Sequence, residues 1–265
     1  MKNRNNNDKR ILILADFMEG NSTAINFAMN YLHDEQSSIY LLQTWKKPAY
    51  GAASVRDLAE VLKEITLKEL KALKAHMLKN YSIRNPDVKL LSFEGELTDF
   101  FKSKIYANHN WQVVLSLKEQ GLYTEKDAKI KEVKVAVHTP IYILNDYNPN
   151  EKLKSISIKN GSSQPSTSFL YFLSKICSQQ NCNVLVEIND NDFSNYEKKS
   201  LIKKYLAACG ESSLQFEQMG DVQQLNNSQP KPILSIYHKH HIKHKVGDLV
   251  SYFDNLLFRL KRTVV

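Results

Sequence analysis

Two stretches of this chain, 144 positions apart, can be laid on one another without a gap. The offset sets Asp16 on Asn160, Ser22-Thr23 on Ser166-Thr167 and Tyr40-Leu41-Leu42 on Val184-Leu185-Val186. Further along, Phe93-Glu94 is echoed by Phe216-Glu217, and Val114-Leu115-Ser116-Leu117 by Ile233-Leu234-Ser235-Ile236. A repeat of that period is a repeat of a whole folding unit, so the second half reads as a shortened copy of the first. A length of 265 residues comfortably holds two such units.

The unit itself is legible in the first half. Ile11-Leu12-Ile13-Leu14-Ala15 is an unbroken apolar run ending at Asp16, the habit of a parallel strand buried on both faces. Asn21-Ser22-Thr23 offers an N-cap, and Ala24, Ile25, Ala28, Met29 and Leu32 recur at helical spacing. Ile39-Tyr40-Leu41-Leu42 follows as a second strand, and a right-handed crossover makes the two parallel. Beyond a loop with Pro48 and Gly51, a long helix is expected from Ser54 to Tyr81. Leu58, Val61, Leu62, Ile65, Leu70, Leu73 and Met77 form its apolar stripe. Strands are expected over Val88–Phe93, Val113–Leu117 and Pro140–Leu144, with helices over Leu97–Tyr106 and Glu125–Val137. Five strands alternating with four helices is a doubly wound α/β unit with a parallel sheet.

These readings divide the chain into a polar tail over 1–9, an α/β domain over 10–147 and a degenerate copy over 151–265. The boundary falls in the turn-rich run from Asn145 to Asn150. In the copy the second helix shrinks to about Tyr196–Ala208. A last helix is expected over Asp248–Arg262, with Leu249, Phe253, Leu256, Leu257 and Leu260 at helical spacing. Only Thr263-Val264-Val265 remain for a fifth strand, so that strand is missing or vestigial.

Composition excludes more than it identifies. Hydrophobic residues are 42% and charged ones 24%, which excludes wholesale disorder and a fibrous design. No run approaches the ~20 consecutive apolar residues of a membrane span. The polar N-terminus lacks an apolar leader, so a cytoplasmic protein is expected. The net charge of +8 permits anionic partners. The lysines, however, stand beside glutamates (Lys63-Glu64, Lys68-Glu69), the pattern of solvated helix faces, and a nucleic-acid partner is not expected. Cys177, Cys182 and Cys209 make no disulfide framework and read as reduced core and surface thiols.

The order and spacing of these elements resemble the universal stress protein family. The run Ile11 to Phe17, followed by Ser22 and Ala24, looks like that family's first strand and turn. Gly95 after strand three, and Thr139-Pro140-Ile141-Tyr142-Ile143-Leu144, look like its closing pattern. The resemblance covers nearly all of residues 10–145 and, more faintly, 153–265. It implies tandem Rossmann-like domains in a stress-response protein, with dimers formed through the fifth strand.

In the family's nucleotide-binding subclass, the Asp after strand one holds the nucleoside end and a G-x2-G-x9-G-[ST] loop after strand four wraps the phosphates. Glycines there let backbone N–H groups approach an anion closely. Here Asp16 stands in place, but the first two glycine positions fall on Ser116 and Glu119. The third falls near Lys129, or near Asp127 when counted back from Pro140; Gly121 is the one glycine nearby and is displaced. In the copy, Asn160 replaces the Asp and Tyr237-His238-Lys239-His240 occupies the loop. The expectation is therefore a non-catalytic binding protein with no cofactor. The alternative is an ATP or AMP sensor, or slow ATPase, drawing on Ala15, Asp16, Thr44, Ser116 and Gly121.

Two further features bear on function. His238, His240, His241 and His244 cluster after a strand, and imidazoles suit Zn, Cu or Ni. The interleaved Lys239, Lys243 and Lys245 make a basic, solvated loop the plainer reading, so no metal is assigned. Strand five of the first half has no counterpart to pair with, so its edge, Ile141-Tyr142-Ile143, is expected to be open and to form a homodimer. A phospho-receiver site fails because strand three ends Phe93-Glu94-Gly95, and no G-x-x-x-x-G-K-[ST] or G-x-S-x-G occurs.

Overall fold

A computed structural model of the protein describes residues 9–15, 21–47, 55–84, 87–107, 111–117, 139–145, 147–148, 150, 153–159, 165, 167–180, 182–188, 195–210, 214–218 and 234–237. In the first half these form β1 (Arg10–Leu14), α1 (Asn21–Phe27, continued by a π-helical turn Ala28–Leu32), β2 (Ser38–Trp45), α2 (Val55–Asn80), β3 (Val88–Glu94), α3 (Leu97–Lys102), α4 (Lys104–Ala107), β4 (Trp111–Leu117) and β5 (Ile141–Asn145). The second half supplies β6 (Ser155–Lys159), α5 (Thr167–Gln180), β7 (Asn183–Ile188), α6 (Asn195–Cys209), β8 (Leu214–Gln218) and β9 (Leu234–Tyr237). The helices expected over 125–137 and 248–262 lie outside the described residues, as does the tail up to residue 8.

All nine described strands belong to one sheet, in the order β3-β2-β1-β4-β5-β9-β6-β7-β8. The first half is parallel throughout, and so are β9, β6, β7 and β8 among themselves. The order β3-β2-β1-β4 of the first half recurs as β8-β7-β6-β9 in the second. Helices cover both faces. Apolar residues of α1, α2, α5 and α6 pack on one face, against Ile11, Ile13, Ile39, Leu41, Ile156, Ile158, Val184 and Val186. Residues of α3 and α4 pack on the other face, against Leu12, Leu14, Leu42, Val113 and Leu115. This is the doubly wound α/β architecture that the alternation of elements predicts.

The repeat needs a correction of one residue. Arg10 pairs with Ser38 across β1 and β2, and Ser155 with Asn183 across β6 and β7. Laying Arg10 on Ser155 and Ser38 on Asn183 gives an offset of 145. An offset of 144 would set Leu12, on the α3–α4 face, upon Ile156, on the opposite face. Side chains alternate along a strand, so a slip of one residue turns every side chain to the wrong side.

Strand five is corrected as well. Its free edge is taken by β9 in antiparallel register, with Tyr142 opposite Ile236 and Ile143 opposite Ser235. The last described strand of the second half thus lies directly on the fifth strand of the first. Ile141, Tyr142 and Ile143 are buried within the chain instead of forming an open edge. The edges of the described sheet are β3 and β8, and β3 carries Lys89 and Glu94, charges of the kind that discourage edge-to-edge pairing.

Two helices also differ from expectation. The helix expected over Leu97–Tyr106 is split at Ser103, whose extended backbone (ψ 156°) ends α3; its N–H still bonds to the Phe100 carbonyl at 3.0 Å. In α2 only part of the expected stripe reaches the core. Leu70 and Met77 are buried, whereas Leu58, Val61 and Ile65 are exposed at 45%, 48% and 48%. The reason is length. Twenty-six helical residues span about 39 Å, whereas the eight residues of β2 span about 26 Å. The C-terminal part of α2 lies on the sheet, with Lys74 Nζ donating to the Val88 carbonyl at 2.6 Å. The helix runs back along the strands, so its N-terminal part overhangs their carboxyl ends.

Candidate functional site

Open α/β sheets bind ligands where neighbouring strands send their connections to opposite faces. Here that place lies between β1 and β4: α1 follows β1 on one face, and α3 and α4 precede β4 on the other. The carboxyl ends of these strands bring together two of the residues singled out in the sequence, Ala15 and Ser116. Ala15 is buried, and its N–H donates to the Leu42 carbonyl at 2.7 Å, carrying the β1–β2 ladder one residue past β1. Ser116, 3% exposed, stands in β4 opposite Leu144 of β5. Thr44 lies one strand further out, in β2 opposite Phe93.

A residue that the sequence offers only as a helix cap is bonded to Ala15. Asn21, buried at the first position of α1, turns its Nδ2 back to donate to the Ala15 carbonyl at 3.2 Å. Its Oδ1 is buried and has no partner among the described residues. A buried amide oxygen without a donor costs about 1–3 kcal/mol, so this atom is the polar feature of the site that most wants a hydrogen bond. Its sequence signal is weak, because Asn before a helical run is read as a cap.

Beside this point the chain is tightly pinned. Gly95, at φ 131°, donates its N–H to the Trp45 carbonyl at 2.9 Å. A Cβ there would stand 3.1 Å from the Phe93 ring and 3.2 Å from Asp99 Oδ2, which is why glycine follows β3. Glu96 and Asp99 then form a capping box for α3. Lys46 pairs with Glu96, and Lys47 pairs with Glu94 at 2.9 Å. Both ion pairs are exposed, and pairs of that kind contribute little to stability.

The other sequence candidates separate. Asp16, Glu119, Gly121, Asp127 and Lys129 lie outside the described residues, as do His238, His240, His241 and His244. Tyr142 is fully buried on β5, with ring centroids 5.9 Å from Phe27 of α1 and 5.1 Å from Phe172 of α5, so it joins the helices of the two halves. Burial pushes its phenol well above the ordinary range, and its hydroxyl has no partner among the described residues. That ring serves packing. Ala15, Asn21 and Ser116 remain as the candidate site: two backbone groups in use, one orphan amide oxygen and one buried hydroxyl.

No protein-family model matches the chain, and no curated protein matches it. Among solved structures it is similar to a putative universal stress protein from Pseudomonas aeruginosa UCBPP-PA14, with 14% identity, 80% of this chain and 74% of that one covered, and a TM-score of 0.38. It is also similar to a universal stress protein from Archaeoglobus fulgidus DSM 4304, with 11% identity, coverage of 87% and 96%, and a TM-score of 0.46. The cytoplasmic domain of a prokaryotic cation chloride cotransporter is similar at 9% identity, with coverage of 88% and 96% and a TM-score of 0.41. The α/β class and the doubly wound order stand on the chain's own strand pairs.

Proposed function

We propose that this chain is a universal-stress-like, non-catalytic binding protein of the cytoplasm that works by contact with a second copy of itself. The observation that carries the reading is the overhanging part of α2, where Leu58, Val61 and Ile65 stand exposed on one helix face. Spacing of three and four residues makes them a continuous stripe. The face also complements itself. An antiparallel twofold pairing centred between Val61 and Leu62 sets Leu58 of one copy against Ile65 of the other. A twofold contact requires that the same patch serve both partners.

A stripe this narrow supports a weak dimer, in the micromolar range. In sedimentation equilibrium the wild type is expected to gain mass across that range, and Val61→Glu with Ile65→Glu is expected to stay monomeric with an unchanged circular dichroism spectrum. A wild type that remains monomeric sinks the reading.

One observation favours a second reading, adenine-nucleotide binding: at the carboxyl end of β1 the buried Asn21 Oδ1 has no partner among the described residues. Calorimetric titration with ATP and AMP separates the two. The contact reading expects no heat of binding. Micromolar binding that is lost in Asp16→Ala replaces it with a nucleotide sensor.

A further inference from the structure

The three cysteines, scattered in sequence, are brought to one place by the second half of the fold. Cys177 continues the buried face of α5 formed by Phe169, Phe172, Leu173 and Ile176. Cys182 is fully buried between the end of α5 and the start of β7. Cys209 is the last residue of α6, the helix that packs on α5, and it is partly exposed. Gly210 follows in the left-handed region (φ 76°), its N–H bonded to the Leu206 carbonyl at 2.9 Å, so α6 stops where Cys209 meets α5.

Cys182 Sγ donates to Cys177 Sγ at 3.8 Å, and Cys209 stands on the helix packed against α5. The bond from Cys182 lowers the Cys177 pKa, but Cys209, close enough to act on it, and burial raise it, leaving it pushed up to about 12. Cys182 is held higher still, first by its bond to Cys177 and then by burial. Both inner thiols are therefore held protonated at rest, and of the three cysteines Cys209 is the most exposed.

We propose that Cys209, Cys177 and Cys182 form a thiol relay by which a hydroperoxide oxidises the buried pair to a Cys177–Cys182 disulfide. Cys209 as thiolate attacks the peroxide; the S–O bond forms, the O–O bond breaks, and the departing hydroxide takes a proton to become water. Cys177 Sγ then attacks the sulfenic sulfur. An S–S bond forms, the S–O bond breaks, and the Cys177 proton leaves with the hydroxide as a second water. The two electrons lost by the thiols have reduced one peroxide. Finally Cys182 Sγ attacks Cys177 Sγ, closing from 3.8 Å to the roughly 2 Å of a disulfide; the Cys177–Cys209 bond breaks, and Cys209 leaves as a thiolate that takes up the Cys182 proton. The oxidising equivalent enters at the surface and ends in the core.

The test treats the folded, reduced protein with hydrogen peroxide, blocks the remaining thiols, and maps disulfides in unreduced peptides by mass spectrometry. The wild type is expected to end with Cys177–Cys182 while its circular dichroism stays native. Cys209→Ser is expected to slow that product by at least about tenfold, since the buried thiols are poor nucleophiles. Cys182→Ala is expected to stop at Cys177–Cys209. If that variant does not fold, early time points of the wild type replace it, and Cys177–Cys209 must precede Cys177–Cys182. The proposal is overturned if the folded wild type forms no disulfide, if Cys209→Ser forms Cys177–Cys182 at the wild-type rate, or if the order of appearance is reversed.

Discussion

On the sheet face that α3 and α4 cover, the first half presents Leu12, Leu42 and Val113; at the same three sheet positions, the second half presents Ser157, Glu187 and Ser235. The equivalence follows from register, since Leu12 pairs with Val113 and Ser157 with Ser235, and the 145 offset carries Leu42 to Glu187. Both sets are buried: Ser157 is 1% exposed, Ser235 5% and Glu187 7%, and Leu12, Leu42 and Val113 are at 0%. In the first half this face is closed by an aromatic cluster. Trp111 lies edge-on to Tyr40 at 4.8 Å and its Nε1 donates to the Tyr106 carbonyl at 2.9 Å, while Phe93, Phe100, Phe101 and Tyr106 pack edge to face or tilted. In the second half Ser157 Oγ donates to Glu187 Oε1 at 3.4 Å instead. The same strand order thus holds a dry layer in one half and a polar one in the other. A sheet's order is set by its backbone pairs and by the face that both copies keep apolar, and the opposite face is free to diverge.

The largest expected effect comes from forcing the second pattern onto the first half. Leu42→Glu places an unpaired carboxylate among Leu14, Tyr40 and Leu115, where water cannot reach it. A loss of more than about 4 kcal/mol in urea denaturation is expected, or no folded protein at all. A variant as stable as the wild type would mean that this face is wetter than the comparison holds. The reverse exchange, Glu187→Leu, is expected to cost less, about 1–3 kcal/mol, because it leaves the buried Ser157 hydroxyl without its acceptor. A gain in stability there would show the polar layer to be a net burden on the second half.

This contrast also marks what was legible in the sequence. Runs such as Ile11–Leu14 and Val113–Leu115 announce strands buried on both faces, and β1 to β5 lie within three residues of their expected bounds. The alternation in Ser155-Ile156-Ser157-Ile158 announces one apolar face, yet the repeat was set one residue out of phase, because matching residue types does not say which face a side chain takes. The pairing of β9 with β5 was illegible for another reason: it is antiparallel between strands about ninety residues apart in the chain, and nothing local encodes it. The exposed start of α2 is hidden in the same way, since a stripe shows that a helix is amphipathic but not how much sheet lies under it. At the candidate site the apolar runs of β1 and β4 put Ala15 and Ser116 at strand ends, whereas Asn21 reads only as a cap. The proximity of Cys209 to Cys177 depends on two helices packing, which spacing in sequence does not reveal.

A smaller effect separates the two glycines at positive φ. Gly95 in the first half would bring a Cβ against Phe93 and Asp99, whereas Gly210 in the second faces open space. Gly95→Ala is expected to cost about 1–3 kcal/mol, from crowding added to backbone strain. Gly210→Ala is expected to cost about 1 kcal/mol, from the left-handed backbone alone. Equal losses would mean that the turn after β3 relaxes, and that the packing of the first half is less rigid than its contacts imply.

The smallest effect reads the first half by pH. The 145 offset sets His33, where the π-helical turn ends, on Ser178 of α5. His33 carries a titratable imidazole and Ser178, whose Oγ donates to the Lys175 carbonyl at 3.0 Å, carries no such group. Burial lowers the His33 pKa from its ordinary 6.5, outweighing the opposite pull of Asp34 and Asp87, and Lys9 adds to the lowering. Below 6.5 the unfolded chain therefore takes up a proton that the folded chain still refuses, so stability falls as pH drops from there toward the folded value. The Asp34 carboxyl, also held below its ordinary 3.8 against the opposing pull of burial, by Ser37 and Lys9, gives up its contribution only as pH falls below 3.8, outside the range in which His33 is tested. Urea midpoints measured between about pH 8 and pH 5 should decline in the wild type and decline less in His33→Gln. An identical slope in the variant would place the acid sensitivity elsewhere, and would remove this helix end from the differences between the two halves.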